Sequence, residues 1–247
     1  MQIYTVVAPV FGTNCYVAAA DGPMGEQGDR DCVVVDAGAG VAPAVRDLLT
    51  DQRLVPRAVL ATHGHVDHTW DAAALCAHYD VPMYLHAADA YRLDDPFGTI
   101  EPGVTRGAGD SHVSGPLGQA LRAAGARPED YRVPTDVRAV DAGDGGEAAV
   151  LDTGAVRLGV LHAPGHTQGS VLYLVGRPGD GAVLTGDVLF AGTIGRTDLP
   201  GGDGATMSRT LRDVVGRLDD GWMVLPGHGP ATDMRRERRT NPFLAGA

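Results

Sequence analysis

Within six positions the chain places three imidazoles and a carboxylate: His63-Gly64-His65-Val66-Asp67-His68. Neutral imidazole is the commonest nitrogen ligand of zinc-like ions, and a carboxylate completes such a set. The cluster follows directly on the apolar run Arg57-Ala58-Val59-Leu60-Ala61, which is short, bounded by Pro56 and reads as a buried strand. An extended or tight-turn backbone sets residues i and i+2 on the same side, so His63 and His65 can point into one pocket. Gly64 lets the chain bend closely between them. Asp67 and His68 come one turn later, where 69–79 reads as a helix that Asp67 or Thr69 would cap. Two imidazoles on one side and an Asp–His pair on the other suit two metal ions rather than one. A solvated turn or a helix cap accounts for Asp67 alone but not for the set.

Three further strand ends carry the same chemistry. His166 follows the apolar run 156–162 in Pro164-Gly165-His166-Thr167, Asp187 ends the run 182–185, and His228 follows 222–226 in Pro226-Gly227-His228-Gly229. Taken singly, a histidine after a strand is usually structural and a Gly-Asp pair usually a turn. Four strand ends that each deliver His or Asp, each flanked by Gly or Pro, are hard to explain as turns alone. His78, His86, His112 and His162 lack that setting and read as surface or core residues.

The elements that must hold these residues follow in order. Residues 2–7 and 14–20 read as a hairpin about Gly12, 31–36 as a third strand, and 41–52 as an amphipathic helix with Pro43 tolerated in its first turn. After the histidine loop and its helix come a short strand at 82–85 and a short helix at 86–92. From 94 to about 136 the pattern loosens into Gly, Pro and polar residues around one helical piece, 117–125. This reads as an insertion or a lid over the site rather than a second domain. Strands resume at 149–151, 156–162, 171–175 and 182–185, followed by a helix at 206–218 and a strand at 222–226.

Twenty basic residues, all arginine, against 31 acidic ones leave a net charge of −11, which disfavours nucleic acid or an anionic membrane as partner. Cys15, Cys32 and Cys76 show no CxxC spacing and each lies in an apolar stretch, which reads as buried thiols in a reducing compartment. No cationic, apolar leader is visible at the N-terminus and no stretch is long enough to span a membrane. A cytoplasmic protein is the expectation.

Thr62-His63-Gly64-His65-Val66-Asp67-His68, Pro164-Gly165-His166-Thr167, Thr185-Gly186-Asp187 and Pro226-Gly227-His228-Gly229 together resemble the metallo-β-lactamase superfamily over nearly the whole chain. The resemblance implies an α/β (α+β) fold, a four-layer αββα sandwich of two similar halves with metals at one edge, as a single domain across 1–247 with the insertion at about 94–136. Gly186-Asp187-Val188-Leu189-Phe190, the segment 195–202 and the ending Arg239-Thr240-Asn241-Pro242-Phe243-Leu244 look like the short bacterial members of the glyoxalase II (hydroxyacylglutathione hydrolase) group. Carried over, His63, His65 and His166 would hold one metal and Asp67, His68 and His228 the other, with Asp187 bridging both.

The implied activity is cleavage of an S-acyl thiol of the S-lactoylglutathione type by a metal-bridging hydroxide, with Asp67 and Asp187 as the catalytic carboxylates. The implied cofactors are two divalent ions, zinc first, with iron or manganese also suited to the donors. The partner would be a small-molecule thioester, with no nucleic acid and no membrane. The chain stops soon after His228, where long glyoxalase II enzymes add a glutathione-binding helical domain, so the thiol is open. Arg196 is the candidate for a substrate contact, its alternative being an ion pair with Asp198 or Asp203. Arg235, Arg236, Arg238 and Arg239 form either an anion-binding cluster or a solvated helix face paired with Glu237 and Asp233.

The alternative activity is an iron-dependent persulfide dioxygenase using His63, His166 and Asp187. Ile194, where that relative typically has cysteine, tilts the reading toward hydrolysis. A lactonase and an RNA phosphodiesterase are further alternatives, the latter opposed by the acidic balance. A β-lactamase or a non-catalytic binding module fits less well, the second because no ligand is lost.

Overall fold

Strands buried on both faces organise the molecule. Along 14–19, Cys15, Val17 and Ala19 join one apolar cluster and Tyr16 and Ala18 another, because successive side chains of a strand point to opposite faces. A computed structural model describes residues 1–20, 28–101, 116–154 and 156–245. β1 (Gln2–Val7) and β2 (Asn14–Ala19) form an antiparallel hairpin, and β3 (Arg30–Val35) pairs antiparallel with β2. α1 (Ala42–Asp51) returns the chain to β4 (Leu54–Leu60), parallel to β3. Then come α2 (Val66–Thr69), α3 (Ala72–Tyr79), β5 (Met83–Leu85), α4 (Tyr91–Asp94), α5 (Pro116–Ala123) and β6 (Val137–Ala139). The first sheet runs in the order β1-β2-β3-β4-β5-β6.

The second half lays down β7 (Ala149–Asp152), β8 (Arg157–His162), β9 (Val171–Val175) and β10 (Ala182–Gly186) as an antiparallel meander. A small hairpin, β11 (Leu189–Phe190) and β12 (Thr193–Ile194), precedes α6 (Gly204–Asp213), β13 (Met223–Pro226), β14 (Thr232–Asp233) and α7 (Met234–Thr240). The second sheet has the order β14-β13-β10-β9-β8-β7.

Tyr16, Val33, Val35 and Leu60 of the first sheet meet Leu158, Val160, Tyr173 and Leu184 of the second in the central core. Outside the first sheet α1 and α3 bury Val45, Leu49, Leu75 and Cys76 against Cys15, Val17 and Val34. Outside the second, α6 and α7 bury Met207, Leu211 and Met234 against Leu161, Leu172, Val183 and Val224. The four layers are therefore helix, sheet, sheet, helix, as the sequence implies. Each such aliphatic or aromatic side chain contributes roughly 1.5–3 kcal/mol by leaving water. All three cysteines are free and buried, and burial pushes the Cys32 and Cys76 thiols up to about 12, so they act as small apolar groups. No helix among the described residues is long and apolar enough to cross a membrane.

Several local expectations are corrected. β4 starts at Leu54 rather than after Pro56, because a register shift opposite Cys32 and Val33 bulges the strand where the proline lacks a donor. The single helix expected at 69–79 is two, α2 and α3, so Asp67 and Thr69 lie inside α2 and cap nothing. The helix expected at 206–218 ends at Asp213 and continues as a 3-10 turn, Val215–Arg217, and that expected at 86–92 divides into a 3-10 turn, Ala87–Asp89, and α4. From the 94–136 stretch, Phe97 and Tyr131 stand edge-on to Trp70 with ring centroids 6.2 and 5.8 Å away. Leu121 joins them, Val66 and Ala39 in one cluster, which fixes the described part of this stretch beside α2. The remainder, 102–115, with His112, lies outside the described residues.

Candidate metal centre

Every residue expected to bind metal sits at or just beyond the C-terminal end of a strand. His63 and His65 lie in the turn after β4, Asp67 and His68 in α2 directly behind it, His166 after β8, Asp187 after β10 and His228 after β13. The last of these turns is held by atoms far away in sequence. Asn14 donates its backbone N–H to the carbonyl of Gly227 at 2.7 Å, and its amide to those of Pro226 and Gly229, both at 2.9 Å, so the start of β2 holds the His228 turn. A Cβ at Gly227 would lie 2.3 Å from Asp187 Oδ1 and 2.7 Å from the His68 ring, so only glycine passes there.

The structure gathers the seven residues into overlapping groups. His63, His65 and His166 form one, Asp67, His68 and His228 a second, and His63, His68 and Asp187 a third. His65 Nδ1 lies 3.0 Å from His63 Nε2 and 2.9 Å from His166 Nε2. The outer nitrogens fix what these atoms carry. His166 Nδ1 donates to the carbonyl of Arg196 at 2.7 Å, so its Nε2 presents a lone pair. His63 Nδ1 is 3.2 Å from the Thr62 hydroxyl, which itself donates to Asp36 Oδ2 at 2.8 Å, so His63 Nε2 presents another. Lone pairs aimed at one point repel unless a cation lies between them.

In the second group His228 Nε2 is 3.2 Å from Asp67 Oδ2 and 3.3 Å from His68 Nε2. Asp187 stands between the groups: Oδ1 is 3.4 Å from His68 Nε2, and Oδ2 is 3.7 Å from both His166 Nε2 and His228 Nε2. Its Oδ1 is buried without a hydrogen-bond partner, the condition of a carboxylate oxygen shaped for an ion.

The electrostatics agree. Burial drives the His63 imidazole well below its ordinary value and His65 down to about 3, so both are neutral and able to ligate. Burial also opposes a charge on His68, but Asp187, Asp67 and Asp36 outweigh it and raise the group well above its ordinary value. The same contest runs the other way for Asp67 and Asp187: burial raises both, and neighbouring histidines, His68 first, pull both below the usual carboxylate range. The centre therefore favours positive charge beside His68 and keeps its carboxylates ionised. Residues and donors fit a pair of divalent ions.

Two buried carboxylates missed in the sequence orient these candidate ligands. Asp36, in a left-handed conformation (φ +59°), accepts from the Thr62 N–H and hydroxyl, both at 2.8 Å, and lies 3.0 Å from His68 Nδ1. Asp89 accepts from the Gly64 N–H (2.8 Å), the Thr167 hydroxyl (2.7 Å) and the Gly169 N–H (2.9 Å), spanning the turns of His63, His65 and His166. Its ion-pair partner Arg92, fully buried, reaches Gln168 Oε1 at 3.0 Å and the carbonyl of Pro200 at 2.9 Å. Asp36 ends a strand in Asp-Ala-Gly, a signal that could have found it; nothing local marks Asp89.

Arg196 borders the site, but its side chain is exposed and bound to both oxygens of Asp198, each at 2.7 Å. Its backbone carbonyl is what reaches His166. Asp203 caps α6 instead. In the tail, Arg238 pairs with Asp220, while Asp233 caps α7 and Glu237 is buried among donors rather than paired with arginines. His86 and His162 stack on each other, 4.4 Å apart, away from the centre. Beside the ligands opens a cavity of about 330 Å³ onto which Asp67, His166, Asp187 and His228 face.

Fold and site together define a metallo-hydrolase of the αββα type with His/Asp groups arranged for divalent metals. The chain belongs to the metallo-beta-lactamase superfamily, whose family model matches residues 8–228. It is 41% identical to an uncharacterized protein of Mycobacterium leprae over the full length of both, and 34% identical to the probable metallo-hydrolase YqgX of Bacillus subtilis, covering 88% of this chain and 89% of that one. It is 28% identical to the hydroxyacylglutathione hydrolase GloC of Haemophilus influenzae, covering 99% and 98%. Among solved structures it is similar to the BLEG-1 B3 metallo-beta-lactamase (TM-score 0.73, 28% identity, 99% and 100% covered) and to TTHA1623 in a di-iron-bound form (TM-score 0.71, 30% identity, 98% and 100% covered).

Proposed function

We propose that this protein is a thioesterase of the glyoxalase II kind, hydrolysing a small S-acyl thiol with Asp67, Asp187 and the five histidines as its metal-binding and catalytic side chains. The observation that carries the reading is Asp187, whose two oxygens reach nitrogens of both ligand groups, 3.4 to 3.7 Å away. Two ions held so would supply a Lewis-acidic pair that activates water near neutral pH and polarises a carbonyl. Asp187 fixes the spacing of the two groups. Asp67, facing the cavity, would orient the attacking water toward the carbonyl. Among the described residues, the other titratable side chains lining the cavity are the ligand histidines and Arg196, so no separate acid stands ready to protonate a leaving group. A thiol, with an ordinary value near 8.5, leaves as thiolate without one, whereas an alkoxide does not. The 28% identity to GloC supports the same choice.

The test pairs elemental analysis of protein purified without added metal with assays on S-lactoylglutathione and on glutathione persulfide under oxygen. About two divalent ions per chain and thioester cleavage without oxygen uptake is the expected result. A single iron with oxygen consumption replaces the hydrolase by a dioxygenase. Asp187→Ala should cost more activity than Asp67→Ala, since Asp187 alone reaches both groups; equal losses would count against its bridging part.

A further inference from the structure

The cavity wall facing the ligands is apolar: Phe11, Val66, Ile100, Leu117, Phe190 and Leu199. Phe11 stands where turn geometry asks for another residue. It and Gly12 are successive left-handed positions, φ +65° and +68°, in the loop joining β1 to β2. Such pairs favour Asn, Asp and Gly, and a phenylalanine there is strained. Backbone strain of this kind persists where it serves a site. Its ring stays 39% exposed, on the cavity, and adds nothing to the buried core. The loop is not free to wander, because Thr13 bridges to His228 and Asn14 holds the Gly227 turn.

Phe190 lines the same cavity. Its ring centroid lies 6.4 Å from that of His228, and its hairpin is fixed by Glu237, which accepts from the Gly192 N–H at 2.8 Å. Asn241 adds a bond to the carbonyl of Thr193 at 3.1 Å. Arg196 is the one arginine among the described lining residues, and its Nε and Nη2 already donate to the two oxygens of Asp198. An apolar substrate arm finds two aromatic rings and four aliphatic side chains there.

We propose that the substrate is a thioester with an apolar alkyl or aryl arm, seated on the wall that Phe11 and Phe190 share, and that Phe11 determines this specificity. The proposal rests on the thioesterase reading above. The acyl side and the thiol side of the ester are the two sources of such an arm. They are told apart with two series on metal-loaded protein: acetyl to octanoyl esters of one small thiol, and acetyl esters of methyl- to octyl-thiol. The expected result is a rise in kcat/KM of about fourfold per buried methylene in the first few members of one series, which names the arm. In Phe11→Asn that rise flattens, with the longest ester losing at least tenfold more than the shortest, while the melting temperature stays level or increases because Asn suits the turn. Hydrolysis at one rate along both series, or an undiminished slope in Phe11→Asn, overturns the proposal and leaves the thioesterase reading intact. Titration calorimetry with S-methyl to S-octyl thioethers separates the remaining case. Binding that strengthens with chain length and is lost in Phe11→Asn, with no thioester cleaved, removes the reaction and keeps the apolar seat.

Discussion

Asp89 touches none of the seven candidate ligands, yet its two oxygens tie the backbone between His63 and His65 to Thr167 and Gly169 beside His166. Asp36 does the corresponding work for His68 and, through Thr62, for His63. Asp89→Asn keeps the shape but turns one acceptor toward donors that it cannot serve. Outer-shell losses of this type cost roughly 10–100-fold in metal affinity. The expected outcome is a loss of that order for the ion held by His63, His65 and His166, with the other ion little changed, measured by competition with a chromophoric chelator. Equal weakening of both ions would contradict the division of labour. The gathering of these seven residues is legible in sequence because His63, His65, His166, Asp187 and His228 each stand beside a glycine at a strand end and Asp67 and His68 follow in the first of these turns. Asp89 and Asn14 are not, because their meaning depends on partners 25 to 215 residues away.

At the scale of elements, the break between α2 and α3 is the instructive departure. An uninterrupted apolar pattern over 69–79 reads as one helix, but Asp71 is drawn aside to accept the Ala42 N–H at 2.8 Å, capping α1 from another element. α1 has no side-chain cap of its own at Val41. Asp71→Ala should therefore destabilise the fold by about 1 kcal/mol, the usual worth of an N-cap, read as a lower urea midpoint with an unchanged slope. No measurable shift would mean that water caps α1 as well. Strands and helices longer than five residues are visible in the sequence through their apolar periodicity. The two-residue strands β11, β12 and β14 and the three-residue β6 are not, since so few residues carry no period. Their pairing is set instead by contacts such as Glu237 to Gly192.

Across the whole molecule the centre joins the two sheets: His63 and His65 leave the first, while His166, Asp187 and His228 leave the second. Ions bound there tie the halves together, so a chelator should lower the melting temperature as well as the activity. For one site filled at a hundredfold its Kd, the linkage is about 2.7 kcal/mol, and in a chain of this size that is roughly 5–10 °C. A melting temperature indifferent to chelation would place the metals outside the load of the fold. The layered architecture was readable from the order of strands and helices and from the motif set, because each half buries its strands on both faces. The placement of Phe97 and Tyr131 was not, since it depends on an aromatic contact with Trp70 that no periodicity announces.

The spread of the ligands along the chain also sets an order of events during synthesis. A ribosome adding roughly 5–20 residues per second makes His63 and His65 about ten to thirty seconds before His228. Through that interval the nascent chain offers an incomplete set of donors, and the first three-histidine group closes only after His166 has emerged. On the proposed assignment the full set of donors exists only once His228 has emerged, and fragments released before that point should leave the ribosome without their ions.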